Sequence, residues 1–341
     1  MSLKALSQQL KLSPTTVSRA LNGYPEVSEA TRERVLRAAR RMHYAPNRIA
    51  AQLATGRAMA IGHVMPVSHN DMSNPIFADF IAGAGEVYSR RGYDMLISVT
   101  PADEEKATYR RLARRRSVDG VIVHGPRAGD PRFALLEELR LPYLIHGRSD
   151  AAPDSAAWLD VDNRRAFARA TRFLTDLGHR RIALLNGLPD MNFAQRRAAG
   201  YFDALRETGI APDPGIVFHE EMTEPYGFDR ATLLLSAPSP PTAFLTASSM
   251  TALGVARALG TRGLTAGRDV SIVTWDDQLS FLPISGAAPM FTTCRSSIRA
   301  AGKRCAEMLI ELIECPDTAE RTELWEAELT LGNSTGPAPR A

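Results

Sequence analysis

Residues 7–57 read SQQLKLSPTTVSRALNGYPEVSEATRERVLRAARRMHYAPNRIAAQLATGR, and the organisation of the chain follows from this stretch. Ahead of it Ser2 is a cap for a first helix on which Leu3, Leu6 and Leu10 recur at helical spacing. Lys11-Leu12 makes a turn. Ser13 is a good N-cap and Pro14 sits at the first helical position, where a missing N–H costs nothing. The second helix, 14–22, turns Val17 and Leu21 inward and leaves Pro14, Thr15, Ser18, Arg19 and Asn22 outward. Short polar groups with one guanidinium suit base edges and phosphates in a major groove. Gly23 ends that helix, and Ser28 caps a third with Val35, Leu36, Ala39 and Met42 on its inner stripe and arginines around it. Spacing alone does not separate a helix-turn-helix from any other short αα-hairpin.

Charge points the same way. Ten Lys/Arg in residues 1–57 (Lys4, Lys11, Arg19, Arg32, Arg34, Arg37, Arg40, Arg41, Arg48, Arg57) face only Glu26, Glu29 and Glu33. The whole chain is only +3, so the remainder is mildly acidic. A basic head on an acidic body indicates a polyanion partner for the head alone. No apolar run approaches the roughly 18 residues of a membrane span, and MSLKALSQQLKL is amphipathic rather than a signal sequence. Cys294, Cys305 and Cys315 lack metal-ligand spacing and read as reduced thiols, which suggests a cytoplasmic protein with neither cofactor nor membrane partner.

Beyond residue 60 the period changes. Short apolar runs (AIGHVMPV, YDMLISV, GVIVHG, PYLIHG, WLDV) alternate with helical stretches near 77–91, 104–116 and 131–139. A second series follows: RIALLNG, GIVFH, AFLTAS and DVSIVTWDD, with helices near 163–177, 195–208, 226–235 and 250–262. Alternating strands and helices of this kind are βαβ units, hence parallel sheets covered on both faces. The two series exceed what one sheet comfortably holds. They divide near 160. A Pro/Gly-rich stretch, 282–293, precedes a last strand and a helix at 297–313, and the tail GNSTGPAPRA reads by composition as disordered.

Three phrases in the head, SPTTVSRALNG, VSEATRERV and YAPNRIAAQL, together resemble the LacI/GalR family of bacterial transcriptional regulators. The resemblance continues through SNPIFADF, RSVDGVIV, HGR, LDVDN, LGHRRIALLNG, RRAAGY, TALGVARALG and TWDD, and so covers residues 3–330. It implies an all-α helix-turn-helix DNA-binding domain (1–45), a hinge helix or linker (46–58) and an α/β core similar to periplasmic binding proteins (59–330). That core would have two lobes crossed three times by the chain: an N-lobe of 59–160 with 291–320, and a C-lobe of 161–290 with 321–330, followed by a disordered tail, 331–341. By resemblance Pro14, Thr15 and Arg19 read bases, with Thr16 and Ser18 nearer the phosphates. Pro46 ends the third helix, and Asn47 caps a segment from Arg48 to Thr55, stopped by Gly56, that is marginal as a lone helix. The family implies that this segment folds when two copies pair in the minor groove, Leu53 prying open a base step, and Tyr44 and Asn47 fall in the same motif. The usual Gly-Val of the turn is Lys11-Leu12 here.

The resemblance also implies a small sugar between the lobes, with Phe77, Arg148, Arg197, Ser248, Trp275 and Asp276 around it. The chemistry suits a polyol, because planar guanidinium and carboxylate groups bracket vicinal hydroxyls and aromatic faces cover ring C–H edges. Arg196 then faces solvent, Arg148 has Asp150 or a second subunit as an alternative partner, and one of Asp276 and Asp277 caps a turn. His146 reads as a buried neutral histidine. Ser248-Ser249 stands where the family usually has Asn-Asp, which bears on effector identity. VDN, HGR, LTASSMTALG and SSIRAAG look like the repressors of α-glucoside operons.

No phosphate-binding GxxxxGK[ST], nucleophile elbow GxSxG or GxGxxG after the first strand is present. Asp160, Asp162, Asp276 and Asp277 permit a glycoside-hydrolase pair on paper, but hydrogen bonding to a sugar explains them without chemistry. The expectation is a non-enzymatic, nucleoid-associated repressor of a carbohydrate operon. It would be a homodimer or tetramer on pseudo-palindromic double-stranded operator DNA, released by a small sugar. The competing reading is a solute-binding or sugar-processing protein whose head does not bind DNA.

Overall fold

Ser13 and Ser28 start two of the head's helices as their chemistry dictates: Ser13 Oγ accepts from the Thr16 N–H at 3.0 Å, and Ser28 Oγ from the Thr31 N–H at 3.4 Å. The computed structural model describes residues 3–21, 24–42, 56–66, 75–280, 282, 289–317 and 321–339. The chain forms two units, residues 1–58 and 59–341. In the first, α1 (Leu3–Leu10), α2 (Pro14–Leu21) and α3 (Glu29–Arg41) close over Leu6, Val17, Ala20, Val35, Ala38 and Ala39. Ala38 rather than Leu36 sits at the centre, since Leu36 stays half-buried. Lys11 takes a left-handed φ of 52° in the turn, and Arg34 Nη2 donates to the Leu10 carbonyl at 2.8 Å.

The second unit holds two six-stranded sheets. The first has the order β11-β5-β4-β3-β1-β2, all parallel, from β1 (Ala60–Pro66), β2 (Asp94–Thr100), β3 (Gly120–His124), β4 (Tyr143–His146), β5 (Ala157–Val161) and β11 (Thr322–Trp325). Its helices are α4 (Pro75–Arg91), α5 (Glu105–Arg115), α6 (Arg132–Leu139) and α11 (Ile298–Glu314). The second has the order β12-β10-β9-β8-β6-β7, from β6 (Ile182–Asn186), β7 (Val217–His219), β8 (Ala243–Thr246), β9 (Ser271–Asp276), β10 (Thr292–Arg295) and β12 (Glu328–Thr330), with only β12 antiparallel. Its helices are α7 (Asn163–Asp176), α8 (Asn192–Glu207), α9 (Glu224–Leu235) and α10 (Ser249–Gly260). Strands buried on both faces read as continuous apolar runs, which is why GVIVH and IALLN carry no alternation.

The chain passes between the sheets from β5 to α7, from β10 to α11 and from β11 to β12. This corrects the boundaries expected from sequence: residues 292–295 join the second sheet rather than the first lobe, and 322–325 join the first sheet rather than the second lobe. A four-residue strand carries no signal of which sheet it will join. The disordered tail is also overturned. Ser334 is fully buried, with the Thr292 N–H donating to its Oγ and its O–H donating to the Ile272 carbonyl. The Ile272 N–H donates to Ser334 O and the Ala338 N–H to Leu177 O. Backbone pairing, invisible in composition, orders the tail through residue 339.

Candidate functional site

On α2, Pro14, Thr15 and Arg19 are exposed, while Thr16 and Ser18 are half-buried. The Thr16 and Ser13 hydroxyls lie 2.8 Å apart. The sequence thus places its three expected base readers together on one solvent-facing stripe. Asn22, Tyr44, Asn47, Arg48 and Leu53 lie outside the described residues.

In doubly wound sheets ligands bind beyond the carboxyl ends of the strands. On the second lobe Arg197, on α8, is buried there. Its guanidinium carbon stands 4.1 Å from the Trp275 ring centre, 4.8 Å from Phe193 and 5.1 Å from Phe167. Nε donates to Asn163 Oδ1 and Nη1 to the Ala247 carbonyl, each at 2.8 Å. Burial pulls its pKa down to about 10, so it is charged at neutral pH. Trp275 Nε1 donates to Asp277 Oδ1 at 2.8 Å, and burial raises the Asp277 carboxyl to about 6 against the opposing pull of Arg197.

Asp276 is the one that caps a turn: its Oδ1 accepts from the Gln278 N–H at 2.8 Å. Its other oxygen is buried without a partner, and burial raises its pKa. Asp277, which sequence reasoning left in the background, is the carboxylate coupled to Arg197. Ser248 is buried and caps α10, accepting from the Thr251 N–H at 3.2 Å and donating to the Met222 carbonyl at 3.3 Å. Its hydroxyl is therefore explained by the helix.

On the first lobe Arg148 Nε donates to Asp160 Oδ2 at 3.0 Å, and its guanidinium carbon lies 5.5 Å from the Trp158 ring centre. Burial raises the Asp160 pKa, with Arg196 and Arg148 pulling it back. Arg196 does not face solvent as expected. From α8 it crosses between lobes, donating to the Arg148 carbonyl at 2.7 Å and standing 3.8 Å from Asp160. Phe77 meets His124 edge-on at 5.4 Å between ring centres. Behind them fully buried His63 reaches His124 Nε2 from Nδ1 and the Tyr88 hydroxyl from Nε2, both at 3.0 Å. The repeated ending His-Gly in GVIVHG and PYLIHG was the signal available for His124.

The lobes also meet directly. The Ala128 N–H donates to Asp190 O at 2.9 Å, the Asn192 N–H to Pro126 O at 3.0 Å, and Arg127 lies 3.6 Å from Asp190. These bonds place the loops that follow β3 and β6 against each other, at the carboxyl ends of both sheets.

Residues 8–47 match the bacterial regulatory proteins of the lacI family, and residues 171–335 a periplasmic binding protein-like domain. The HTH-type transcriptional regulator AglR of Rhizobium meliloti is 44% identical over 337 residues, which span 99% of this chain and 95% of that protein. The chain belongs to the LacI family. Another LacI-family relative, the HTH-type transcriptional regulator RafR of Escherichia coli, is 35% identical over 92% of each chain. The lac repressor dimer bound to operator and the anti-inducer ONPF superposes with a TM-score of 0.79 at 26% identity, covering 98% of this chain and 99% of that one. A CelR–cellobiose complex superposes at 0.72 with 28% identity and the same coverage.

This LacI-family chain is a sequence-specific DNA-binding transcriptional regulator, which decides against the reading of the head as a mere interaction module. Its relatives are regulators, and no helix among the described residues is long and apolar enough to cross a membrane.

Proposed function

We propose that the protein represses a carbohydrate-utilisation operon as a homodimer and leaves its operator when a small sugar, an α-glucoside in the first instance, enters the cleft between the lobes. The observation that carries this is Arg197, stacked on Trp275 in one lobe, together with the Arg148–Asp160 ion pair in the other. Charged, planar hydrogen-bonding groups backed by aromatic faces are what polyol recognition requires. The unpartnered Asp276 oxygen supplies one acceptor that a hydroxyl would satisfy. That a cellobiose complex and an operator-bound dimer exist among similar proteins supports the same roles here.

On α2, Pro14, Thr15 and Arg19 are the proposed base readers, with Thr16, Ser18 and Asn22 beside them. Tyr44, Asn47, Arg48 and Leu53 would serve the minor groove by family resemblance. Arg196 is the proposed link to DNA release, because a sugar competing for Arg148 and Asp160 would change the bridge that sets the lobe angle. Such a switch needs a differential affinity worth typically 1–3 kcal/mol.

Binding to the protein's own upstream DNA, measured by anisotropy across a salt series with and without sugars, tests the reading. Affinity should fall steeply as salt rises, since phosphate contacts release counterions, and should drop further with the effector. A salt-independent signal with no specific footprint would sink it.

A further inference from the structure

The effector contacts proposed above leave one group of side chains at the cleft unused. His124 ends β3 and His146 ends the adjacent β4, paired in register, and both are half-buried. Each lies within a few residues of a hydrogen bond to the second lobe: Pro126 O accepts from the Asn192 N–H, and Arg148 O accepts from Arg196. Their rings stand 6.0 Å apart between centres, edge to face, with Phe77 against His124 and Phe80 against both. His124 Nδ1 and both ring nitrogens of His146 have no hydrogen-bonding partner among the described residues.

The proton on His124 can be placed by following the chain behind it. The Tyr88 hydroxyl is buried and has His63 Nε2 as its hydrogen-bonding partner, so its proton is satisfied only by donating there. His63 Nε2 is then the acceptor. A neutral imidazole carries one proton, so His63 holds it on Nδ1 and donates to His124 Nε2. His124 in turn keeps its proton on Nδ1, on the other side of its ring. Apolar surroundings hold both rings neutral at physiological pH.

We propose that His124 and His146 are specificity-determining contacts of the sugar site, and that the Tyr88–His63 chain fixes His124 as a donor to an acceptor oxygen of the ligand. His63 and Tyr88 are positioning residues that never touch the sugar. A fixed donor discriminates by geometry: it donates to a ring, glycosidic or hydroxyl oxygen lying in line with its N–H and loses that bond to a ligand with no oxygen there. The proposal rests on the sugar reading of the cleft.

The test uses the full chain and a panel of methyl α-D-glucopyranoside, maltose, sucrose, trehalose and cellobiose, with binding followed by calorimetry. His124→Phe and His146→Phe should each weaken the responding sugar about tenfold, the cost of one lost hydrogen bond. His124→Gln, which retains an N–H donor, should stay within about threefold of the unaltered protein. Ring ¹⁵N shifts should report His124 protonated on Nδ1, and Tyr88→Phe should abolish that preference, which a purely structural role would not do. Unchanged sugar affinity in both Phe variants, or a His124 protonated on Nε2 in the unaltered protein, overturns the proposal while leaving the sugar reading intact. If no sugar of the panel binds the unaltered protein, the sugar reading itself fails and this one with it.

Discussion

Arg197 brings a full positive charge into a space walled by Trp275, Phe193 and Phe167, and satisfies itself with Asn163 and the Ala247 carbonyl. Only a flat, weakly hydrated cation can lie on an aromatic face while donating in its own plane. Lysine keeps the charge but not the plane, so Arg197→Lys is expected to lower sugar affinity at least tenfold. Operator affinity without sugar should stay within about twofold. Calorimetry with the responding sugar and anisotropy on operator DNA separate the two, and an unaltered sugar Kd would show that stacking contributes nothing. Arg197 was expected from the family resemblance carried by RRAAGY, and the fold buries it against Trp275. The place of its neighbour Arg196 was not legible: whether an arginine on a helix meets solvent or a second lobe depends on where the chain crosses, which no local pattern encodes.

Local chemistry decides elements more reliably than it decides their partners. Ser13-Pro14 and Ser28 announce helix starts because caps act within one turn, and both caps form. The turn between α1 and α2 is a local cost: Lys11 holds φ at 52°, a region that costs a side chain roughly 1 kcal/mol. Lys11→Gly relieves that strain and adds back some chain entropy, so head stability should rise by a few tenths to about 1 kcal/mol. Slower amide exchange across α1 and α2 in the full chain would show it, and faster exchange would contradict it.

At the other end, GNSTGPAPRA reads as disordered because it has almost nothing apolar to bury. What orders it is hydrogen bonding to the amino-terminal ends of β9 and β10, two interior strands, which the sequence cannot announce. Ser334→Ala strips the Thr292 N–H and the Ile272 carbonyl of a buried partner. The expected loss is about 2 kcal/mol, read as a lower urea midpoint with unchanged m-value. The exchange of strands 292–295 and 322–325 between sheets has the same cause, since strands so short are placed by neighbours rather than by their own residues.

At the scale of the whole molecule, the cleft's histidines set how the protein meets acid. Burial lowers His63 to about 3, His146 to about 4 and His124 well below its ordinary value. In the unfolded chain each takes up a proton near 6.5. Below that pH the unfolded state binds more protons than the folded one, so stability is fully present above 6.5 and is lost as pH falls toward the folded values. Each neutral histidine costs about 1.4 kcal/mol per pH unit in that window. Asp277 works in the opposite sense. Its carboxyl is raised to about 6, so the folded state holds a proton that the unfolded state has released, and acidification through that range favours the fold.

Burial also raises Asp160, Asp276 and Glu105, which acts in the same sense as Asp277. Between pH 6.5 and 5 the three cleft histidines, with His179 that burial also lowers, outweigh Asp277, the carboxyl raised to about 6. The unfolding midpoint of the core should therefore fall steeply across that interval, and His63→Gln should start lower at pH 7.5 yet decline less steeply. A midpoint flat from pH 7.5 to 5, or a His63→Gln slope equal to that of the unaltered protein, would mean that these rings are already charged in the folded state. The neutral donor chain from Tyr88 to the cleft would then fail with them.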